Sequence, residues 1–392
     1  MSSVLVLDGN QRSALATVRS LGSQGFDVYV ADCTENSLAG TSRFCRESLT
    51  CPSPLADTHG FLGWLTAAIE RLGIDILLPV TEVSSQILLH HHDQLPESCH
   101  LPFAEVERVL KLSDKIHLME LAEDIGVPHP AGEAFADMTS YSSAGEPDLP
   151  FIIKPERSVV HVDGAWHTTA VSRIDNQADL QRFQSSATPM GAFMRQAFIP
   201  GHGAGVFAIY DRGQPLAFFA HRRLREKPPG GGVSVLSEAV KVDSELLSHT
   251  RRLLDAVDWH GVAMVEFRID PEGRPWLMEV NTRFWGSLQL AIDAGVDFPK
   301  LLCDITLGKP TAPVTTYHNG QRLRWLLGDV DSLYLYLRDG GYSAGEKLRR
   351  VVAFLTPRPG CTRHEVNRIG DMRPAWFELK GYVRDLLGKG GG

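Results

Sequence analysis

Two short apolar strands joined by a tight turn limit most strongly how this chain can fold. Residues 262–269 and 275–280 are strand-like, and the Asp-Pro-Glu-Gly turn between them makes them a hairpin. The hairpin brings Glu266 and Glu279 side by side, and Asn281 lies two residues after Glu279 on the same face. The chain therefore contains a sheet that holds two carboxylates and one amide together.

Two carboxylates and an amide oxygen at one place suit a hard divalent cation. Mg²⁺ is typically bound by a few carboxylates, while nucleotide phosphates complete its coordination shell. The alternative is an ordinary solvent-facing hairpin, in which glutamates alternate with apolar residues. The register of Glu266, Glu279 and Asn281, followed closely by Arg283, favours the metal site over that alternative.

The first hundred residues alternate strands with helices. Strands are predicted at 4–7, 27–31 and 74–80, and helices at 14–21 and 61–72. The apolar run 74–80 is typical of a parallel strand covered by helices on both faces, which indicates an open α/β unit. Ligands bind such units at the carboxyl ends of the strands, where Glu82 either contacts a substrate or only caps a helix. The first turn lacks Gly-x-Gly-x-x-Gly, so no motif for NAD is present.

The rest of the chain divides into two further regions. Ser113-Asp114-Lys115 begins an amphipathic helix, and antiparallel strands follow at 151–155, 192–199, 205–211 and 215–222. Beyond about residue 310 helices are predicted at 322–337 and 376–387, with a disordered tail at 388–392. The expected domains are 1–110, 111–310 and a mainly helical 311–392.

Composition excludes several functional classes. The 392 residues are 43% hydrophobic and 22% charged, with a net charge of -8, as in an ordinary soluble protein that does not bind nucleic acid generally. No signal peptide and no membrane-spanning run are present. The six cysteines form no Cys-x-x-Cys pair, which favours reduced thiols in the cytoplasm.

Two lysines and one strand end are candidates for binding a nucleotide. Lys115 and Lys154 are suited to phosphate oxygens as point charges, although either alone is more often a solvated surface residue. The strand 192–199 breaks at Pro200-Gly201, which exposes backbone groups of the kind that an adenine edge requires. A plain strand end is the alternative.

Arginines supply candidates for binding anions. Arg222, Arg223 and Arg225 lead into a Pro-Pro-Gly-Gly-Gly run, which predicts a mobile loop at 222–232 that closes over anions, the alternative being a solvated loop. Arg283 precedes Ser287, a helix N-cap residue, and together they indicate a carboxylate or phosphate site. The alternative is that Arg283 pairs with a structural acid.

Taken together, these motifs resemble the ATP-grasp superfamily, specifically its carboxylate–amine ligases related to carbamoyl phosphate synthase and biotin carboxylase. The resemblance extends from Val4 to about Gly308 and is most specific over 266–287. It implies an α/β and α+β fold: a Rossmann-like N-terminal domain, an ATP-grasp domain whose two subdomains clamp ATP, and a small helical C-terminal region.

The resemblance also implies roles for individual residues. Lys115 and Lys154 correspond to the phosphate-binding lysines, and Glu266, Glu279 and Asn281 to the Mg²⁺ or Mn²⁺ ligands. The segment Gln196, Ala197, Phe198 and Ile199 corresponds to the adenine hinge. The family often has Glu at position 197 and an acid at position 202, where this chain has Ala197 and His202.

The implied reaction transfers phosphate from ATP to a carboxylate, and an amine then attacks the acyl phosphate to give an amide and ADP. Arg283 lies near the transferred phosphate, with Arg223 and Arg225 as further donors. The expected contacts to the substrates are Glu82, Arg222, Gly231 and Ser287. The expected protein is a cytoplasmic biosynthetic ligase with an amino acid or small peptide as the acid, and a homodimer stays open.

Three other functions stay open. The first is an ATP-dependent carboxylase, although the chain has no biotin-attachment motif, and the second is a ligase that joins an acid to a thiol. The third is a nucleotide-binding regulatory protein without turnover. Ala197 and His202 favour this regulatory protein, whereas the complete set of Glu266, Glu279 and Asn281 favours an enzyme.

Overall fold

The N-terminal unit of the computed structural model is a parallel sheet of four strands. The structure describes residues 2–143, 148–162, 165–185, 191–229, 232–358 and 360–388. The strands are β1 Ser3–Val6, β2 Asp27–Asp32, β3 Glu47–Thr50 and β4 Ile76–Leu78, and the helices are α1 Arg12–Ser23, α2 Thr58–Leu72 and α3 Glu82–His90. The spatial order is β3-β2-β1-β4, and β1 and β4 are buried along their whole length. This is the predicted α/β unit with helices covering its sheet.

Two helices lead from this unit into the next. They are α4 Val106–Ser113 and α5 Lys115–Asp124, with Asp114 between them. The Asp114 carboxylate accepts hydrogen bonds from the backbone N–H groups of Ile116 at 2.9 Å and His117 at 3.2 Å. The side chain thereby caps α5 and fixes the start of the helix at Lys115, as the sequence predicts.

A small antiparallel sheet follows. Its elements are β5 Gly132–Phe135, α6 Met138–Ser143, β6 Phe151–Pro155, β7 Val159–Val162, β8 Ala165–Thr168, β9 Ser172–Ile174, α7 Gln177–Gln184 and β10 Phe193–Ala197. The spatial order is β5-β10-β6-β9, while β7 and β8 form a separate hairpin. Val159 and Trp166 of this hairpin are buried in one core with Phe61 of the N-terminal unit. The hairpin therefore joins the small sheet to the N-terminal unit.

The large sheet has seven strands in the described chain. Its elements are β11 His202–Asp211, β12 Gln214–Lys227, β13 Val233–Val240, α8 Ser244–Asp255, β14 Gly261–Ile269, β15 Pro275–Asn281, α9 Leu288–Ala294, α10 Phe298–Thr306, β16 Arg322–Arg324, α11 Leu326–Arg338, α12 Ala344–Leu355, β17 Thr362–His364 and α13 Arg373–Gly388. The order is β15-β14-β11-β12-β13-β16-β17, and neighbours are antiparallel except β16 and β17. Within the described ranges, no helix has the length and hydropathy needed to span a bilayer.

Two parts of this sheet differ from the prediction. The sequence predicts a mobile loop at 222–232, but β12 continues to Lys227 and pairs with β13, with bulges next to Arg223 and Arg225. Ladder hydrogen bonds therefore order these polar residues. The predicted helix at 322–337 begins only at Leu326, because Arg322–Arg324 forms a strand that extends the sheet.

One buried arginine connects the C-terminal segment to the N-terminal unit. Arg19 of α1 contacts the Asp371 carboxylate at 2.9 Å, and the two side chains are 8% and 2% exposed. The same guanidinium donates to the backbone carbonyls of Glu365, Val366 and Asp371 at 2.9, 2.9 and 3.0 Å. Hydrogen bonds therefore surround the ion pair, and a single substitution would leave buried polar groups without partners.

We expect Asp371→Ala to lower the free energy of unfolding by about 3–5 kcal/mol, because it leaves the buried charge of Arg19 uncompensated. The matched control is Asp27→Ala, which breaks the exposed pair with Arg46 at 2.6 Å and is expected to cost about 0–1 kcal/mol. Urea titration measures both losses. Equal losses in the two variants would show that the Arg19 network does not hold the C-terminal segment.

Candidate active site

The predicted hairpin forms, and it places two carboxylates opposite each other. Glu266 on β14 pairs with Glu279 on β15, and the register shifts directly after Glu266. The amide nitrogen of Asn281 lies 3.3 Å from a carboxylate oxygen of Glu266 and 3.2 Å from one of Glu279. The three side chains therefore converge, and their role as metal ligands stays a prediction.

The charges at this point favour a bound cation. Burial, and after it the neighbouring charge of Glu279, raises the pKa of Glu266 to about 7. Among the described residues, no group of three or more His, Cys, Asp or Glu is arranged to hold a metal. The candidate donors are the two carboxylates and the Asn281 amide oxygen, which would face them once the side-chain amide is turned over. This set fits Mg²⁺, which commonly leaves its other positions to water and phosphate oxygens.

A buried lysine connects the small sheet to the carboxylate pair. The ammonium of Lys154, near the end of β6, donates a hydrogen bond to the backbone carbonyl of Met278 at 3.2 Å. Burial lowers the pKa of Lys154 to about 8; the charge of Glu279 opposes this shift and that of Lys115 adds to it. Lys115 is itself buried. Lys154 therefore lies close to the carboxylates and Lys115 lies near Lys154. Their role in binding phosphate stays a prediction.

The segment predicted to bind an adenine edge begins inside β10. Gln196 is buried, and its side-chain nitrogen lies 3.5 Å from the carbonyl oxygen of Pro130. The backbone N–H of Ala197 donates to the carbonyl of Ala131 at 2.8 Å. The Gln196 side chain therefore packs inward and anchors the strand end.

The residues after the strand end are more open. The guanidinium of Arg173 lies over the ring of Phe198 at 4.0 Å, and Ile199 is half-buried. His202 is exposed at the first position of β11, where it pairs with Ile269. His202 also lines a cavity of about 650 Å³.

A smaller cavity of about 200 Å³ opens beside the carboxylate pair. Glu266 and Glu279 line it together with three arginines, which are Arg12, Arg223 and Arg283. Arg223 lies 3.8 Å from Glu266 and lines both cavities, so this ion pair stands between them. The small cavity is therefore lined by both the proposed metal ligands and cations.

Arg283 is held by the N-terminal unit. Its Nε lies 3.4 Å from the carboxylate of Glu82, which begins α3, and its Nη2 donates to the side-chain oxygen of Asn281 at 3.2 Å. Both predicted residues are thus at the site and in contact. Arg283 does pair with an acid, as the alternative interpretation requires, and the pair also orients it towards the carboxylates.

Ser287 occupies the N-cap position of α9, but its hydroxyl does not cap the helix. It lies 2.8 Å from Nε2 of His221 instead. Burial, with a smaller effect of Arg223, lowers the pKa of His221 to about 3, so its ring is neutral at physiological pH. The Ser287–His221 pair forms another part of the small cavity wall.

The remaining predicted arginines are fixed by carboxylates. Arg222 contacts Glu238 at 2.5 Å, and Arg225 contacts the buried Asp329 at 3.2 Å. Both line the larger cavity, so they remain available as its cationic wall. The ion pairs explain why these residues are ordered in β12. Gly231, predicted to contact the substrate, lies outside the described residues.

The sequence analysis missed several residues of the small cavity, among them Arg12 and His221. Arg12 is the first residue of α1, directly after the turn that follows β1, where ligands of parallel α/β units bind. That position could have identified it. His221 lies inside a predicted strand, and its contact with Ser287 depends on tertiary packing, which local sequence does not show.

Comparison with known proteins identifies the fold. A family model described as "ATP-grasp in the biosynthetic pathway with Ter operon" matches residues 190–328. The structure of an ADP complex of purK, an N5-carboxyaminoimidazole ribonucleotide synthetase, matches with a TM-score of 0.60 and 13% identity, over 82% of this chain and 80% of that one. This chain has the ATP-grasp fold. The resemblance and the fold class predicted from sequence are confirmed.

Two further ATP-grasp structures agree. The L-amino acid ligase from Bacillus licheniformis has a TM-score of 0.59 and 16% identity, over 79% of this chain and 75% of that one. The biotin carboxylase from Campylobacter jejuni, as a β,γ-ATP complex, has a TM-score of 0.60 and 15% identity, over 81% and 74%. No curated protein matches the sequence significantly. At these identities the likeness shows the fold and leaves the substrates to be argued from the site.

Proposed function

We propose that this ATP-grasp protein is a ligase that uses ATP to activate a small carboxylic acid as an acyl phosphate and joins it to an amine. One observation carries the proposal: Glu266, Glu279 and Asn281 converge on the wall of a 200 Å³ cavity that Arg283 also lines. A carboxylate in that cavity would lie beside both Arg283 and the proposed metal ligands. The same fold in an L-amino acid ligase supports this reaction class.

The nucleotide is the first substrate. Lys115 and Lys154 would hold its phosphates as point charges, and the backbone from Gln196 to Ile199 would receive the adenine. Glu266, Glu279 and Asn281 would hold Mg²⁺ or Mn²⁺, which supplies charge neutralisation for the phosphates when bound. His202, at the start of β11, lines the larger cavity, which Glu266 also lines.

The chemistry then needs positioning more than a protein nucleophile. A carboxylate oxygen of the acid attacks the γ-phosphorus, a new P–O bond forms, and ADP leaves as the bond to the β-phosphate breaks. The amine nitrogen next attacks the acyl carbon, phosphate leaves with the C–O bond electrons, and the amine loses a proton. Arg283 and Arg223 face this cavity and offset the developing negative charge.

Ser287 and His221 suggest a covalent hydrolase as a rival, because a serine and a histidine lie 2.8 Å apart. The electrostatics disfavour it. Burial lowers the pKa of His221 to about 3, so the ring is a poor acceptor for the serine proton. Within the described chain Nδ1 of His221 has no hydrogen-bond partner, so no acid orients the ring as a general base requires.

The other candidates keep the fold and change the second step. A carboxylase or an acid–thiol ligase would use the same metal set and acid cavity with a different nucleophile. A regulatory protein would bind nucleotide without turnover. The convergent Glu266, Glu279 and Asn281 favour turnover, and we infer small-molecule acid and amine substrates for a cytoplasmic biosynthetic ligase.

An ADP-release screen tests the reaction class. Purified protein with Mg²⁺ and ATP is incubated with amino acids, simple carboxylates and amines, and any condensed product is identified by mass spectrometry. Hydroxylamine in place of the amine should trap the acyl phosphate as a hydroxamate. Formation of AMP and pyrophosphate would contradict the proposal.

We expect Glu279→Gln to lower turnover by about a hundredfold or more, because it removes one negative charge from the metal set and keeps the side-chain shape. The control is Glu272→Gln in the turn of the same hairpin, where the side chain is 64% exposed and contacts Arg274. The control should keep full activity. Near-normal turnover of Glu279→Gln, measured as ADP release, would remove this glutamate from the metal site.

Burial lowers the pKa of Lys154 to about 8. We therefore expect ADP affinity to fall as the pH rises through this value. Below that pH the ammonium is charged and attracts phosphate, and above it the neutral amine does not. Calorimetry without metal, from about pH 7.5 to 9.5, measures the trend, which is at most about tenfold per pH unit. Lys154→Arg stays charged and should flatten it. An equal slope in both proteins would assign the pH dependence to another group.

A further inference from the structure

Arg12 reaches from the N-terminal unit into the small cavity, where no role has been assigned to it. Its Nη2 lies 3.5 Å from the position that a Cβ would take on Gly286, so the guanidinium lies directly over that glycine. Its Nη1 is buried and makes no hydrogen bond within the described structure. A buried guanidinium N–H without a partner loses hydration that only a ligand oxygen or a trapped water would restore.

Residues of the C-terminal region hold Arg12 in place. Its guanidinium lies over the ring of Trp325 at 3.8 Å, and its Nε lies 3.4 Å from the buried carboxylate of Glu365. The indole N–H of Trp325 in turn donates to Glu378 at 2.7 Å. Three parts of the chain beyond residue 310 thus orient one arginine towards the cavity.

The charge of Arg12 is only partly offset by this support. Burial raises the pKa of Glu365 to about 7 against the pull of Arg12, so the carboxylate is partly protonated near neutral pH. Glu266 and Glu279 are assigned to the metal. The cavity therefore has positive charge beside the metal set, from Arg223 and Arg283, and separately over Gly286, from Arg12.

We propose that Arg12 binds a second carboxylate of the acid substrate, so that the ligase acts on small dicarboxylic amino acids. The inference rests on the proposed function, since the first carboxylate is the one activated beside Arg283. At about 200 Å³ the cavity lies below the usual range for drug-sized ligands, which suits an acid the size of aspartate or glutamate. Trp285 also lines the cavity, and within the described part of the chain its buried indole N–H has no hydrogen-bond partner.

The test compares acids with amides of the same shape. L-aspartate and L-glutamate are assayed against L-asparagine and L-glutamine for ADP release, and binding of each is measured by calorimetry without nucleotide. The wild-type protein should prefer the acids by about 10- to 100-fold in kcat/KM, as expected for hydrogen bonds to a charged group. Arg12→Gln should raise KM for the acids by a similar factor, weaken their binding equally, and leave the amides unchanged.

Two variants separate recognition from a merely structural role. Arg12→Lys keeps the charge and should restore part of the preference, while Arg46→Gln, which removes an arginine 57% exposed on the same unit, should leave it unchanged. If Arg12 only ties the N-terminal unit to the C-terminal region, Arg12→Gln will lower activity on acids and amides equally. That result would overturn the inference.

The inference and the proposed function fail in different ways. If the amides or monocarboxylates stimulate ADP release and the dicarboxylic acids are not preferred, the role of Arg12 is wrong. The proposed ligase reaction is not contradicted by that result. If no carboxylic acid stimulates ADP release although ADP binds, the ligase itself is wrong and the inference falls with it. If Arg12→Gln still prefers the acids, another residue binds the second carboxylate, and the inference about Arg12 is wrong.

Discussion

The pairing of Glu266 with Glu279 across β14 and β15 is the constraint on which the site depends. Two half-buried carboxylates in direct register repel each other, and loss of hydration, followed by this repulsion, raises the pKa of Glu266. Cations from separate parts of the fold lie against the pair, with Lys154 on the small sheet and Arg223 on β12. A divalent metal with its phosphates would satisfy both the acids and these cations.

The region beyond residue 310 is part of the same architecture, since β16 and β17 extend the large sheet. Its C-terminal segment returns to the N-terminal unit, which it contacts through the Arg19–Asp371 pair. Trp325, just before α11, packs its ring against the guanidinium of Arg12. The same region therefore contacts both the N-terminal unit and, through Trp325 and Glu365, an arginine that lines the small cavity.

The sequence predicts those features that depend on local pattern. The hairpin around Glu266 and Glu279, the start of α5 at Lys115 and the parallel N-terminal sheet all follow from periodicity and turn residues. The strand Arg322–Arg324 does not follow from local pattern. Its arginines form ion pairs with Glu238, which is distant in the chain, and with Asp329, which lies in a helix. The sequence also does not predict that β12 continues to Lys227. Pairing with β13 orders residues whose sequence is typical of a loop.

Transfer of oxygen from the acid to phosphate tests the central claim most directly. The acid substrate is labelled with ¹⁸O in its carboxylate, and the phosphate released in the complete reaction is examined by mass spectrometry. Activation as an acyl phosphate at the Glu266–Glu279 site predicts one labelled oxygen in each phosphate, accompanied by ADP. Unlabelled phosphate, or label appearing in AMP, would contradict the account.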